Sequence, residues 1–148
     1  MADRSAMLAG MSELLGFHHV ALTVGDCDAS VEWYATVLGF EEMFREETEP
    51  RRACVMRFPG GADGVALVEH RPSEGDGFDH RHQGLDHLAF TVASQEELER
   101  WAERLTGAGV EHSGVIEIPP GAILNLKDPD GIALALFWDR RGDEVRSR

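Results

Sequence analysis

The fold is decided by FHHVALTVGDCDASVEWYATVLGF, from Phe17 to Phe40, which repeats 68 residues later as LDHLAFTVASQEELERWAERLTGA, from Leu85 to Ala108. A later run, GVALVEH from Gly64, falls over IALALFW from Ile132 at the same offset. Similarity at both ends of each half predicts a tandem duplication of one structural unit. Six pairs coincide without a gap in the first run: His19/His87, Ala21/Ala89, Thr23/Thr91, Val24/Val92, Trp33/Trp101 and Gly39/Gly107.

Each half predicts one strand, one helix and three further strands. Asp26 is placed to cap the first helix, and Ser94 with Glu97 forms a capping box for the second, while Gly39 and Gly107 suit helix ends. Alternating and β-branched runs predict the strands, and DPDG predicts the last hairpin turn. The predicted first half comprises strand 16–24, helix 29–38 and strands 40–47, 52–58 and 64–71. The predicted second half comprises strand 85–93, a helix from 94 through 105, and strands 110–118, 122–127 and 132–138.

The resulting α+β organisation is βαβββ twice. The predicted boundaries are a flexible N-terminal segment over 1–15, a first module over 16–72, a linker over 73–83, a second module over 84–139 and a polar tail over 140–148. His80 and His82 lie in the linker near Asp79, where short polar loops are usually just solvated.

Composition narrows the class of partner. The net charge is −13 at pH 7 with 27 acidic against 14 basic residues, so the surface repels phosphate backbones and nucleic acid is excluded as a partner. An acidic field favours a hydrophobic or cationic small ligand. No segment approaches the ~20 apolar residues of a membrane span, and no signal peptide is recognised, so no membrane association is expected. The two cysteines, Cys27 and Cys54, form no disulfide framework, which predicts a cytoplasmic location.

Two βαβββ units, each opening on a His-apolar-Ala-apolar-Thr-Val strand, with WYATVLGFEE in the first and DPDG before the last strand, resemble the glyoxalase/bleomycin-resistance/dioxygenase (vicinal oxygen chelate) superfamily. The resemblance covers about Phe17 to Trp138. It implies curved mixed sheets that enclose a cavity, a homodimer, and, in the enzymes of the family, one divalent metal such as Zn, Ni, Fe or Mn.

Carried over residue by residue, the resemblance places two of four ligand positions on His19 and His87. The last-strand position, where the family commonly has Glu, holds Ala135, and its equivalent at the 68-residue offset is Leu67. Two histidines fall short of the three protein ligands usual in catalytic sites. One rescue remains open: Glu69 shares a strand face with Leu67 and would complete a His19/His87/Glu69 metal site if it reached inward.

These residues together predict a small-molecule pocket with apolar walls and a few polar anchors. The predicted ligand-binding residues are His19, Leu67, Glu69, His87, Phe90, Ala135, Phe137 and Trp138. The favoured interpretation is a metal-independent protein that sequesters a drug or natural product, as in antibiotic resistance, with no cofactor. The alternative is a metal-dependent lyase, isomerase or extradiol-type dioxygenase that uses His19 and His87; a metal-free enzyme with a histidine or Glu69 as general base is the third class. Enzyme status is left open, with a binding protein favoured.

Overall fold

The computed structural model describes residues 14, 16–61 and 64–142. The predicted flexible segment at 1–15 and most of the predicted tail therefore lie outside the described residues. No helix within these ranges is long and apolar enough to cross a membrane.

Each half of the chain forms the predicted strand–helix–strand–strand–strand unit. The first unit contains β1 (Val20–Thr23), α1 (Cys27–Leu38), β2 (Glu41–Thr48), β3 (Arg51–Arg57) and β4 (Gly64–His70). The second contains β5 (Leu88–Thr91), α2 (Gln95–Gly107), β6 (His112–Ile118), β7 (Gly121–Lys127) and β8 (Ala133–Asp139). The predicted duplication and element types are confirmed.

The predicted helix caps are present because they depend on local sequence. The Asp26 carboxylate accepts the backbone N–H of Ala29 at 3.0 Å, and α1 ends where Gly39 adopts the left-handed conformation at φ 76°. Ser94 Oγ accepts the N–H of Glu97 at 3.2 Å. Both helices are longer than predicted: α1 starts two residues earlier, at Cys27, and α2 continues to Gly107.

Each unit folds into a four-stranded mixed sheet. The strand orders are β1-β4-β3-β2 and β5-β8-β7-β6, with the first pair parallel and the others antiparallel in each sheet. Among the described residues the two sheets share no ladder and do not close, whereas the sequence predicted sheets that enclose a cavity.

The two modules pack on one another through the faces that carry their helices. A single hydrophobic core includes Leu22 and Tyr34 from the first module and Leu98 and Leu136 from the second. The ring of Phe90 lies 5.5 Å from Phe40 by centroid, in an edge-to-face contact between modules. This shared core fills the space between the modules, so the opposite face of each sheet is left outside it. We call that opposite face the open face.

Candidate functional site

The open face of the first sheet is built from small and apolar side chains. Side chains alternate along β4, so Val65 and Leu67 enter the shared core while Ala66 and Val68 form a separate small cluster with Ala53. Phe44, on β2, pairs with Val55 on β3 and is 60% exposed. An apolar floor therefore covers the middle of this face.

The open face of the second sheet follows the same alternation. Leu134 and Leu136 belong to the shared core, which puts Ala135 and Phe137 on the open side. The ladder sets Ala135 between Ala89 of β5 and Asn125 of β7. Ile116 of β6 extends this floor and is 42% exposed.

His19 and His87 stand at equivalent places, each one residue before the first strand of its module. Both are exposed, and alternation places them on the open faces, two residues before Ala21 and Ala89 respectively. The preceding residue engages each ring: His19 Nδ1 lies 2.8 Å from Nδ1 of His18, and His87 Nδ1 lies 2.6 Å from the Asp86 carboxylate. With a proton on Nδ1, His87 donates to Asp86, and its Nε2 is left to face a ligand.

The ladders correct the predicted equivalence of Leu67 and Ala135. Ala21 pairs with Ala66, whereas the equivalent Ala89 pairs with Ala135. The last strands are therefore related by 69 residues rather than 68, because the second module has one more residue between its first and last strands. The true equivalent of Ala135 is Ala66, and both last-strand positions carry alanine.

Glu69 lies on the helix side of its sheet. Its carboxylate accepts the backbone N–H of Cys27, the first residue of α1, at 2.9 Å and a hydrogen bond from Arg71 Nε at 2.6 Å. Arg52 adds an ion pair at 3.4 Å. The hydrogen bond from Cys27, followed by that from Arg71, lowers the pKa of Glu69. This side chain anchors the start of α1, on the face opposite to Ala66 and Val68.

Three further predicted pocket residues also lie on the helix side. Leu67 is fully buried in the shared core. Phe90 is wedged against Phe40 and Phe58, whose ring centroid is 5.6 Å away. Trp138 packs against the same core, with the Arg140 guanidinium 5.4 Å from its ring. The open faces therefore bring out four of the eight predicted residues, namely His19, His87, Ala135 and Phe137.

Sequence reasoning missed the rest of the open-face floor. Ala66 and Val68 were overlooked because VALVE offers no polar residue to mark the outer face of β4. Asn125 and Lys127 could have been found, since they alternate with Leu124 and Leu126 along β7.

The donor set does not fit the metal that the family's enzymes hold. His19 and His87 are suitable donors, but Ala66 and Ala135 have none, and the Glu69 oxygens are bound on the other face. Within the described residues, no group of three or more His, Cys, Asp or Glu side chains is placed to hold a metal ion.

The DPDG turn joins the modules. Asp128 Oδ1 accepts the backbone N–H groups of Asp130 and Ile132, both at 2.9 Å, and its Oδ2 accepts the Tyr34 hydroxyl of α1 at 3.0 Å. Asp130 Oδ1 accepts the N–H of Gly25 at 2.9 Å. Burial raises the pKa of Asp128, and burial followed by the neighbouring Asp128 charge raises that of Tyr34. The turn thus fixes the start of α1, and with it β1, against the second module.

A cavity of about 470 Å³ lies beside β1, between the modules and the linker. Its lining includes Thr23, Phe78, His82 and Asp130, and its described lining contains neither His19 nor His87. His82 of the linker therefore faces a different space from the two strand histidines.

The comparisons with known proteins agree with this architecture. The family model described as Glyoxalase/Bleomycin resistance protein/Dioxygenase superfamily matches residues 16–136. The chain belongs to this superfamily. A solved glyoxylase/bleomycin resistance protein/dioxygenase domain from Frankia sp. EAN1pec is 37% identical, with a TM-score of 0.81 over 92% of this chain and 100% of that one.

More distant members extend the range of activities on this fold. The fosfomycin resistance protein FosX from Listeria monocytogenes is 18% identical over 90% of this chain and 99% of its own, with a TM-score of 0.66, and shows likeness of fold alone. Among curated proteins, "Putative ring-cleaving dioxygenase MhqA" from Bacillus subtilis is 30% identical over 130 residues, or 86% of this superfamily member. The chain spans 40% of that relative's length.

Proposed function

We propose that this chain is a metal-independent small-molecule-binding protein of the glyoxalase/bleomycin-resistance type, which sequesters a drug or natural product on the open faces of its sheets. The observation that carries the proposal is the alanine at both last-strand positions, Ala66 and Ala135, beside two exposed histidines. Small residues leave space over an apolar floor, and His19 and His87 supply hydrogen bonds at its edge. The binding energy would come from apolar contact, and dissociation would end the cycle.

The working unit in this proposal is a homodimer. One chain leaves both floors outside its core, with Phe44 60% and Ile116 42% exposed. Aromatic and aliphatic side chains grouped in this way favour burial against another surface. A sheet of a second copy laid over the floor would turn each open face into an enclosed pocket. We propose the cytoplasm as its location, in keeping with two free, buried cysteines.

The second candidate is a metal-dependent ring-cleaving dioxygenase, lyase or isomerase. The 30% identity to the Bacillus subtilis protein favours it. It requires donors beyond His19 and His87, which Glu69 in its observed contacts does not provide, so we assign no catalytic step to these residues.

The deciding experiment is metal analysis of full-length protein purified without chelator, beside calorimetry against a panel of cytotoxic natural products. The proposal expects substoichiometric metal, unchanged in His19→Ala and His87→Ala, and a tight ligand whose affinity falls in Ala135→Trp. His80→Ala, in the linker, is the matched control for loss of a histidine. Stoichiometric metal that is lost in both strand-histidine variants would overturn the proposal in favour of the enzyme.

A further inference from the structure

Lys127, the only lysine of the chain, stands on the open face of the second sheet. It ends β7, where Leu124 and Leu126 enter the core and Asn125 and Lys127 are exposed. Alternation therefore puts the ammonium group and the Asn125 amide on one face, about 6.6 Å apart along the strand.

The neighbouring strand leaves room above these two side chains. Lys127 pairs with Ala133 and Asn125 pairs with Ala135, so each polar residue has a methyl group beside it on β8. His87 precedes Leu88, which pairs with Leu134, and so continues the row beyond Ala133 on the other side. A flat molecule of a few ångströms' width can lie over the alanines with its end near the lysine.

The ammonium group has no ion-pair partner among the described residues. The adjacent Asp128 is committed to Tyr34 and to backbone N–H groups. Asp86 is held at the His87 ring. Glu111 lines a shallow recess with Lys127 but lies beyond ion-pair distance. The Asn125 side chain likewise makes no hydrogen bond within the described residues.

We propose that Lys127 and Asn125 recognise the carboxylate of an apolar organic acid bound on this open face. An ammonium and a primary amide both donate hydrogen bonds, and a carboxylate accepts from both while its charge offsets the lysine's. The apolar body would lie over Ala133, Ala135 and Phe137. The inference rests on the proposed binding function and refines it, because the net charge alone predicted a hydrophobic or cationic ligand.

The test compares three probes of one shape by calorimetry on the full chain: 2-naphthoate, the neutral 2-naphthamide and the cationic 2-naphthylmethylamine. We expect naphthoate to bind at least about tenfold more tightly than the amide, as for a hydrogen bond to a charged group. Lys127→Met should abolish that preference, and Glu111→Gln should strengthen naphthoate binding by removing a nearby negative charge. Arg100→Gln is the control, since it makes the same charge change on the exposed side of α2, where Arg100 pairs with Glu97.

The outcomes separate this inference from the binding function. Equal affinity for naphthoate and naphthamide, or a preference that survives Lys127→Met, overturns the carboxylate assignment and leaves small-molecule binding intact. Failure of all three probes to bind at concentrations on the order of 10 mM counts against both. A second readout uses the single lysine: after reductive ¹³C-methylation its methyl signal should shift saturably with naphthoate, and a signal that naphthoate leaves unmoved overturns the inference.

Discussion

Asp130 Oδ1 accepts a hydrogen bond from the backbone N–H of Gly25 at 2.9 Å, although the two residues stand 105 positions apart. The carboxylate comes from the last hairpin turn of the second module, and the glycine comes from the turn that starts α1 in the first. One side chain therefore ties together the two segments that carry the start and the end of the repeated unit.

Replacement of Gly25 or Asp130 should loosen the joint between modules. A Cβ on Gly25 would stand 2.9 Å from Asp130 Oδ1, closer than real contacts allow, so Gly25→Ala has to displace the carboxylate. We expect Asp130→Ala to lower the free energy of unfolding by about 1 to 3 kcal/mol. In a double-mutant cycle, Gly25→Ala should cost less when Asp130 is already absent. Asp79→Ala, which removes an aspartate that bonds Arg81 within the linker, is the control. Strict additivity of the two substitutions would show that the contact carries no energy.

The Tyr34 hydroxyl should stabilise the protein most where Asp128 is ionised. Tyr34→Phe removes the donor from a buried carboxylate, and we expect a loss of about 1 to 3 kcal/mol near neutral pH. Because burial raises the pKa of Asp128, the folded state holds its proton to higher pH than the unfolded chain does, and stability falls as pH rises through the window between the two pKa values. Below that window the carboxyl is neutral, so the cost of Tyr34→Phe should shrink. Urea titrations across pH would measure this, and a pH-independent cost would contradict it.

Glu69 should matter for folding and not for ligand binding. Glu69→Ala leaves the Cys27 N–H and two arginines without their carboxylate, so we expect a loss of about 2 to 4 kcal/mol in stability. The pKa of Glu69 is lowered in the folded protein, so its contribution is present above the unfolded pKa and is lost as pH falls through the folded pKa. Glu49→Ala, which removes an exposed partner of Arg71, is the matched control and should cost little. A loss of metal or ligand with unchanged stability would instead place Glu69 in the site.

The strand register makes opposite predictions for two adjacent residues. Leu67→Glu puts a carboxylate into the shared core and should cost about 4 kcal/mol or more, or prevent folding. Ala66→Glu points to the open face and should cost less than about 1.5 kcal/mol. Thermal unfolding of the two variants side by side measures the difference. A reversed order would restore the 68-residue equivalence.

Local signals made much of the fold predictable. The Asp26 and Ser94 caps and the left-handed Gly39 are set by residues within four positions of one another, so the sequence carries them directly. The repeat supplied the element order. The family resemblance then predicted the equivalent histidines, because their strand pattern is the most similar part of the two modules.

The site was harder to predict where neighbours come from distant segments. Every residue from Val65 to Glu69 is buried, so β4 gives no alternation by which to choose a face. Glu69 appeared free to reach inward because Arg52 and the start of α1 come to it only in the folded chain. The side chains of Asp128 and Asp130 were interpreted as parts of a turn, since partners 94 and 105 positions away leave no local mark.

The difference between 68 and 69 bears on any attempt to recombine the halves. Ala21 aligns with Ala89, but Ala66 aligns with Ala135. A chimaera that exchanges β4 for β8 by sequence position alone would be spliced one residue out of phase. Every side chain of the grafted strand would then face the wrong way, with leucines in solvent and alanines where the core needs volume. A symmetrised version of the chain should therefore be cut by strand pairing, with the extra residue of the second half kept in a loop.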